Sequence, residues 1–153
     1  MDESARILIV DDDESIRKTI AAILEEKGYI VDTAENGKEA IKKANANFYN
    51  LALIDIRLPD MEGTKLLAEI KETTPKMVKI IVTGYPSLQN AITAVNRGAD
   101  CYLLKPVNID HLLETIRQHL EKQREAKKYS EEKVAEFIRT RVKELESVPN
   151  QKP

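Results

Sequence analysis

Five short apolar runs recur along the chain. They are Arg6–Val10, Tyr29–Ala34, Leu51–Ile54, Val78–Val82 and Cys101–Leu104. Four of them are almost continuous runs of β-branched and aliphatic residues, a pattern typical of strands that are covered on both faces. The run at Tyr29–Ala34 is more mixed, which predicts a strand at or near the edge of a sheet.

Between these runs, hydrophobic residues return every three or four positions, which is the spacing of an amphipathic helix. Gly28 and Gly98 each follow one such segment and Pro75 follows another, and both residue types commonly end helices. The apolar positions are Ile16, Ile20, Ile23 and Leu24; Ala40, Ile41 and Ala44; Leu66, Leu67 and Ile70; Leu88, Ala91, Ile92 and Val95; and Ile109, Leu112, Leu113, Ile116 and Leu120. Strand and helix thus alternate five times, which predicts an α/β protein with a five-stranded parallel sheet and helices on both faces.

The composition changes after Leu120. Residues 121–133 are almost entirely polar, and Ser130 followed by two glutamates is typical of a helix N-cap with an acidic first turn. Apolar residues then return at helical spacing, at Val134, Phe137, Ile138, Val142 and Leu145. We therefore predict one domain in residues 1–122, followed by a charged linker and a C-terminal amphipathic helix in residues 123–153. That helix could pack on the domain, dimerise or dock a partner.

Bulk properties narrow the function classes. The 153 residues are enough for one domain with an appendage, and the formal net charge of −2 does not recruit nucleic acid or an anionic membrane. No apolar run approaches the roughly 20 residues of a membrane span. Cys101 is the single cysteine, which suits a reducing compartment. We expect a cytoplasmic protein that contacts neither nucleic acid nor a membrane directly.

Polar residues follow four of the five predicted strands. The first strand is followed by Asp11, Asp12 and Asp13, the third by Asp55, and the fifth by Lys105 and Pro106, while Thr83 and Gly84 end the fourth. Because ligands bind at the carboxyl ends of strands in parallel sheets, we expect these side chains to converge. Neighbouring carboxylates repel one another unless a cation intervenes, and Mg²⁺ is held by such carboxylates together with waters and a phosphate. The set is suited to holding a phosphoryl group on a carboxylate.

Each of these residues also has a simpler interpretation when it is taken alone. The run Asp11–Asp13 could cap the helix that begins near Glu14, and Asp55 could bind a turn. His111 and His119 lack companion ligands, so we interpret them as solvated helix residues rather than a metal or phosphorelay site.

Two enzyme classes fit the sequence poorly. A P-loop nucleotide hydrolase would carry G-x-x-x-x-G-K-[ST], which does not occur here. A phosphatase of the haloacid dehalogenase type needs a second aspartate two residues after the first, and Arg57 stands there.

Taken together, the motifs resemble the receiver domain of two-component response regulators over residues 5–122. Four segments carry the resemblance in order: Ile7–Asp13, with its apolar strand and acidic residues; Asp55–Gly63, with the phosphoacceptor, Pro59 and Gly63; Ile81–Gly84; and Tyr102–Pro106. The resemblance implies a flavodoxin-like strand order, 2-1-3-4-5.

The resemblance also implies a role for each matching residue. Asp55 would accept a phosphoryl group from the phosphohistidine of a sensor histidine kinase or a phosphotransfer protein. Asp11, Asp12, Asp55 and the backbone carbonyl of Arg57 would hold Mg²⁺. Lys105 would pair with Asp55 and later with the phosphoryl group. The protein would be a signalling protein and not an enzyme, catalysing at most its own phosphorylation and dephosphorylation.

Further residues would transmit the signal. Thr83 and Tyr102 would form a switch pair that alters the surface made by the fourth helix, fifth strand and fifth helix, for an unidentified downstream protein. Pro106 would follow a cis peptide bond, and Gly84 stands where receivers often carry alanine. Some receivers are followed by a helix that pairs between subunits, so we favour a homodimer through the C-terminal helix. The alternative is a docking module with a receiver fold that is never phosphorylated.

Overall fold

In a computed structural model, which describes residues 4–147, five strands and five helices alternate along the chain. The strands are β1 (Arg6–Val10), β2 (Ile30–Ala34), β3 (Leu51–Ile54), β4 (Val78–Thr83) and β5 (Cys101–Leu104). The helices are α1 (Glu14–Glu26), α2 (Gly37–Ala46), α3 (Gly63–Glu69), α4 (Leu88–Asn96) and α5 (Ile109–Ser147). The strands are parallel and ordered β2-β1-β3-β4-β5, so the predicted fold and strand order are confirmed.

The sheet separates two apolar cores, because successive strand side chains point to opposite faces. Leu8 of β1 and Ala52 of β3 belong to one core, which α2, α3 and α4 cover. Ile9 and Leu53 belong to the other, which α1 and α5 cover. Burial on both faces explains the continuous apolar runs in β1, β3 and β4. The edge strand β2 leaves Ile30 49% exposed, in line with its mixed sequence.

The helix α5 corrects the prediction for the C-terminal part. The sequence predicts a charged linker and then a new helix that begins at Ser130, but α5 runs without a break from Ile109 to Ser147. Residues 121–133 are mainly Glu, Lys, Arg, Gln and Ala, which are strong helix formers, and no glycine or proline interrupts them. The N-cap interpretation of Ser130 is therefore wrong. A separate role for residues 123–153 stays a prediction, and residues 148–153 lie outside the part of the chain described.

Gln123 marks the point where α5 leaves the domain. Its Nε2 donates hydrogen bonds to the carbonyl oxygens of Asn50 at 2.9 Å and Lys76 at 2.8 Å, and its Oε1 accepts one from Asn50 Nδ2 at 3.1 Å. These bonds attach α5 to the amino end of the sheet. Beyond this clamp the apolar stripe of α5 continues with its side chains 47–69% exposed, at Val134, Phe137, Ile138, Val142 and Leu145. No helix within residues 4–147 is both long and apolar enough to cross a membrane.

Candidate functional site

One ammonium group joins two buried carboxylates at the carboxyl end of the sheet. Lys105 Nζ lies 2.7 Å from Asp11 Oδ2 and 3.1 Å from Asp55 Oδ2. Asp11 is 5% exposed and Asp55 is 7% exposed. Buried charges are tolerated when they are paired and hydrogen-bonded, so the three side chains form one electrostatic unit.

The sheet positions these residues through its backbone. Asp11, Asp55 and Lys105 each directly follow a strand, and each continues the ladder of backbone hydrogen bonds by one residue. Their N–H groups donate to the carbonyl oxygens of Ala34 at 3.1 Å, Val10 at 2.9 Å and Thr83 at 2.8 Å, respectively. The three side chains thus start from points that the register of the sheet fixes.

Three carboxylates at this edge could hold a divalent cation. Asp11, Asp12 and Asp55 each offer an oxygen, and these oxygens lie within 4.8 Å of one another. Asp12 is exposed, whereas the other two are buried. The donor set fits Mg²⁺, which prefers carboxylate oxygens and keeps several waters. Lys105 offsets only part of the negative charge. The fourth predicted ligand, the carbonyl of Arg57, stays a prediction.

Burial and neighbouring charges shift the pKa values of Asp55 and Lys105. Burial raises the pKa of Asp55 above its usual range, and the charge of Asp11 adds to this, although Lys105 favours the ionised form. Burial also opposes the charge on Lys105, but Asp11 and Asp55 outweigh that effect and raise the pKa of Lys105. Lys105 therefore stays charged, while ionised Asp55 is the group that a further cation would stabilise.

The acidic residues after β1 have two different roles. Asp13 is the N-cap of α1, and its Oδ1 accepts a hydrogen bond from the N–H of Ile16 at 3.0 Å. Asp11 Oδ1 accepts one from the N–H of Asp13 at 2.9 Å, which shapes the turn. The helix-cap interpretation thus holds for Asp13 and leaves Asp12 available to a ligand.

The predicted switch residues lie on adjacent strands. Thr83 is fully buried, and its Oγ1 accepts a hydrogen bond from the N–H of Tyr85 at 3.0 Å. Tyr102 is paired with Ile81 in the sheet register. It packs against the core that Ile81 belongs to, which α2, α3 and α4 cover. Its hydroxyl oxygen is buried without a hydrogen-bond partner among the described residues. The Lys105–Pro106 peptide bond is cis, and so is Thr74–Pro75, which was not predicted. Movement of the two switch side chains stays a prediction.

The sequence does not predict two contacts made by residues close to Asp55 in the chain. The guanidinium of Arg57 stacks on the ring of Tyr85, and the carboxylate of Asp60 accepts hydrogen bonds from the N–H groups at the start of α2. Both contacts join segments that are distant in the chain. The glycine at position 37 was a weak signal for the second contact, because it opens a helix where another segment approaches closely.

Comparison with known proteins agrees with this geometry. Residues 7–117 match the family model described as the response regulator receiver domain. The chain is similar to a CheY-like response regulator receiver domain protein from Methanospirillum hungatei JF-1, with 48% identity and a TM-score of 0.78 over 81% of this chain and 99% of that one. It is also similar to the beryllofluoride-activated NtrC4 receiver domain dimer, with 40% identity and a TM-score of 0.72 over 77% of this chain and 98% of that one. The family resemblance seen in the sequence is confirmed.

Curated relatives change one expectation. The chain is 36% identical to the transcriptional regulatory protein GlrR of Escherichia coli (strain K12) over 90% of its own length, but it spans 30% of that protein. Several other relatives are also named transcriptional regulatory proteins. The prediction that the protein has no nucleic-acid partner is therefore not retained, because the net charge on which it rested describes only a region that these longer regulators share.

Proposed function

The chain belongs to the response regulator receiver domain family, and we propose that Asp55 is its phosphoacceptor. A carboxylate oxygen of Asp55 attacks the phosphorus of a phosphohistidine on a sensor histidine kinase or a phosphotransfer protein. The new P–O bond forms as the P–N bond breaks, and the imidazole leaves. The observation that carries the proposal is the single ammonium of Lys105, which lies between Asp55 and Asp11.

Each neighbouring group has a part in the transfer. Asp11, Asp12, Asp55 and the Arg57 carbonyl would hold Mg²⁺, which, when bound, supplies positive charge beside the phosphoryl oxygens. Lys105 binds a phosphoryl oxygen after transfer, because its ammonium already contacts the accepting carboxylate. The hydroxyl of Thr83 donates a hydrogen bond to another phosphoryl oxygen. The residues thus provide positioning and charge neutralisation, and an external protein provides the phosphoryl group.

The output would be a change in one exposed apolar surface. Leu88, Ile92 and Val95 of α4 and Leu104 of β5 are 46–78% exposed. Contiguous exposed apolar residues of this kind commonly mark protein interaction sites. Movement of Thr83 towards the phosphoryl group, followed by rotation of Tyr102, would change the relative populations of two conformations of this surface. Its partner would be a downstream protein in the cytoplasm.

Incubation with acetyl phosphate tests the proposal directly. The unchanged chain is expected to gain one phosphate, measured by intact mass, only when Mg²⁺ is present, and Asp55→Asn is expected to gain none. Asp13→Asn is the matched control, because Asp13 lies at the same edge but caps α1. A chain that gains no phosphate with Mg²⁺ and donor supports instead the docking module that is never phosphorylated. Phosphate on Asp55→Asn contradicts the assignment of the acceptor.

We further propose that the exposed part of α5 pairs with a second copy of the chain. The residues Val134, Ile138 and Leu145 lie along one side of a helix, because they are separated by four and seven positions. All three are more than half exposed, at 59%, 55% and 66%. The similar NtrC4 receiver domain is described as a dimer, which agrees with self-association.

Light scattering of matched variants tests this pairing. Ile138→Asp places a charge on the apolar stripe and is expected to reduce the molar mass from dimer to monomer. Thr140→Asp places the same charge about 200° away around the helix and is expected to leave the dimer intact. A monomeric unchanged chain would exclude pairing, and a dimeric Ile138→Asp variant would exclude this surface.

A further inference from the structure

The amino end of α2 is capped by a carboxylate from another segment of the chain. The first N–H groups of a helix have no partner within the helix. Asn36 Oδ1 accepts a hydrogen bond from the N–H of Glu39 at 2.8 Å, as a local N-cap does. The two preceding N–H groups, of Gly37 and Lys38, donate to Asp60 Oδ1 at 2.8 Å and Oδ2 at 2.9 Å. Both oxygens of Asp60 are thus engaged by α2.

Asp60 stays ionised in this position. Its own desolvation opposes the charge, but the hydrogen bonds from Gly37 and Lys38 outweigh it and lower the pKa of Asp60. A negative charge is also favoured at the amino end of a helix by the helix dipole. The side chain is therefore a charged clamp between α2 and the segment that follows Asp55.

The segment held by Asp60 is a tight hairpin. Arg57 and Glu62 form an isolated antiparallel bridge, and the N–H of Leu58 donates to the carbonyl oxygen of Met61 at 3.3 Å. Asp60 lies at the tip of this hairpin, and Arg57 lies at its base, two residues after Asp55. The hairpin thus joins the clamp on α2 to the backbone beside the accepting carboxylate.

Close packing fixes the hairpin at its tip and at its base. At the tip, the side chain of Met61 occupies the space that a Cβ at Gly37 would need. At the base, a Cβ on Gly63 would overlap the carbonyl oxygen of Asp55, and the N–H of Gly63 donates to the carbonyl oxygen of Ile56 at 2.6 Å. The base is therefore held by backbone contacts, while the tip depends on Asp60 and Met61.

We propose that Asp60 is a positioning residue for the magnesium site, acting through the hairpin on the backbone carbonyl of Arg57. The inference rests on the proposed function, in which that carbonyl is a ligand. Mg²⁺ demands near-ideal octahedral geometry, so it is sensitive to small displacements of a ligand. Asp60 is not one of the carboxylates that converge at the metal site, which are Asp11, Asp12 and Asp55, and both of its oxygens accept hydrogen bonds from α2.

Asp60→Asn breaks the clamp with little change in shape. The amide nitrogen of asparagine would face an N–H group of α2, donor against donor, and the negative charge at the helix start is lost. Mutation of a residue that supports a metal ligand typically weakens metal binding by about 10- to 100-fold. Because Asp60 acts through a backbone turn, we expect a smaller increase in the Kd for Mg²⁺, of about three- to tenfold.

Asn36→Ala provides the matched control. It removes the other side-chain cap of α2, whose hydrogen bond goes to the N–H of Glu39 and not to the hairpin. Calorimetric titration of the full chain with Mg²⁺, without a phosphodonor, measures the affinity. We expect similar losses of thermal stability in the two variants, but weaker Mg²⁺ binding in Asp60→Asn alone. Unchanged affinity in Asp60→Asn, or an equal loss in Asn36→Ala, would overturn the proposal.

The rate of phosphorylation by acetyl phosphate supplies a second measurement. In Asp60→Asn, the Mg²⁺ concentration that gives half the maximal rate is expected to rise by the same factor as the Kd. The rate at saturating Mg²⁺ is expected to match that of the unchanged chain. A lower rate at saturating Mg²⁺ with unchanged half-saturation would overturn the positioning role and leave the phosphoacceptor assignment standing. An unchanged chain that does not bind Mg²⁺ would overturn both.

Discussion

The guanidinium of Arg57 lies over the ring of Tyr85, with its Cζ 3.8 Å from the ring centroid. Arg57 stands two residues after Asp55, and Tyr85 stands two residues after Thr83. The backbone N–H of Arg57 also approaches Asp55 Oδ1 at 3.3 Å, while that of Tyr85 donates to Thr83 Oγ1 at 3.0 Å. The stacked pair therefore bridges the two loops beside the proposed phosphoacceptor.

Tyr85→Ala should shorten the lifetime of the phosphorylated protein. The stacked side chains belong to the two loops beside Asp55, and loss of the Tyr85 ring is expected to admit water to the acyl phosphate. An exposed cation–π contact is worth about 0.5–1 kcal/mol, which corresponds to about a two- to fivefold faster hydrolysis if the contact shields the phosphate fully. The decay of the phosphorylated species after removal of the donor, followed by intact mass, measures this rate.

Tyr85→Phe is the control for the ring itself. Phenylalanine keeps an aromatic face for Arg57, so hydrolysis should stay close to that of the unchanged chain. Equal hydrolysis rates in the Ala and Phe variants would show that the stack does not shield the site.

Lys105→Met should destabilise the metal-free protein and increase its response to Mg²⁺. The change leaves Asp11 and Asp55 without their shared ammonium. Breaking a buried ion pair costs about 3–5 kcal/mol, and since the Lys105 side chain is 20% exposed we expect about 1–3 kcal/mol here. Because Mg²⁺ can replace the missing positive charge, its addition should raise the Tm of Lys105→Met more than that of the unchanged chain. Equal Tm shifts in calorimetry would contradict this prediction.

Asp55→Asn should stabilise the metal-free protein near neutral pH. Since burial raises the pKa of Asp55, the native state binds more protons than the unfolded chain between the ordinary aspartate pKa of about 4 and the raised value. The contribution of Asp55 to stability therefore falls as the pH rises through that interval. In thermal unfolding with a chelator present, Asp55→Asn should have the higher Tm at neutral pH and approach the unchanged chain in acid.

Asp60→Asn should show the opposite pH dependence. The pKa of Asp60 is lowered, so its ionised form contributes stability above the ordinary aspartate pKa and loses that contribution as the pH falls. The variant should be less stable than the unchanged chain at neutral pH, with the difference closing in acid. If Asp55→Asn and Asp60→Asn change the stability at neutral pH in the same direction, the environments assigned to the two carboxylates are wrong.

Gly63→Ala and Gly84→Ala should differ strongly in stability. A Cβ at Gly63 would overlap the backbone of Asp55, and backbone must move to admit it, at a cost of about 1–3 kcal/mol. A Cβ at Gly84 would meet only Lys105 side-chain atoms, at 3.8 and 3.9 Å, so the expected change is within about 0.5 kcal/mol. Urea unfolding of both variants measures the difference, and comparable losses would contradict the close approach at Gly63.

The parallel sheet could be predicted because its central strands are covered on both faces. Leu51–Ile54 is uniformly apolar since one half of its side chains meets each core, and Asp55 follows where the sheet ends. The convergence of Asp11, Asp55 and Lys105 follows from the same geometry, because each directly follows a strand of one parallel sheet.

Other features depend on context that a local pattern does not contain. Ser130 has the residues of an N-cap, but strong helix formers on both sides keep the helix continuous through it. Asp60 resembles any polar turn residue until the fold brings α2 beside it. The stack of Arg57 on Tyr85 likewise depends on how two side chains are oriented, which the adjacency of β3 and β4 does not fix.

The long helix has a mechanical consequence. Residues 124–147 extend α5 beyond the Gln123 clamp, and at about 1.5 Å per residue they form an arm of about 36 Å. A tilt of about 5° at the clamp would move the far end of that arm by about 3 Å, a distance comparable with one residue of a strand. A small shift at the amino end of the sheet would thus become a displacement large enough for a second protein to detect.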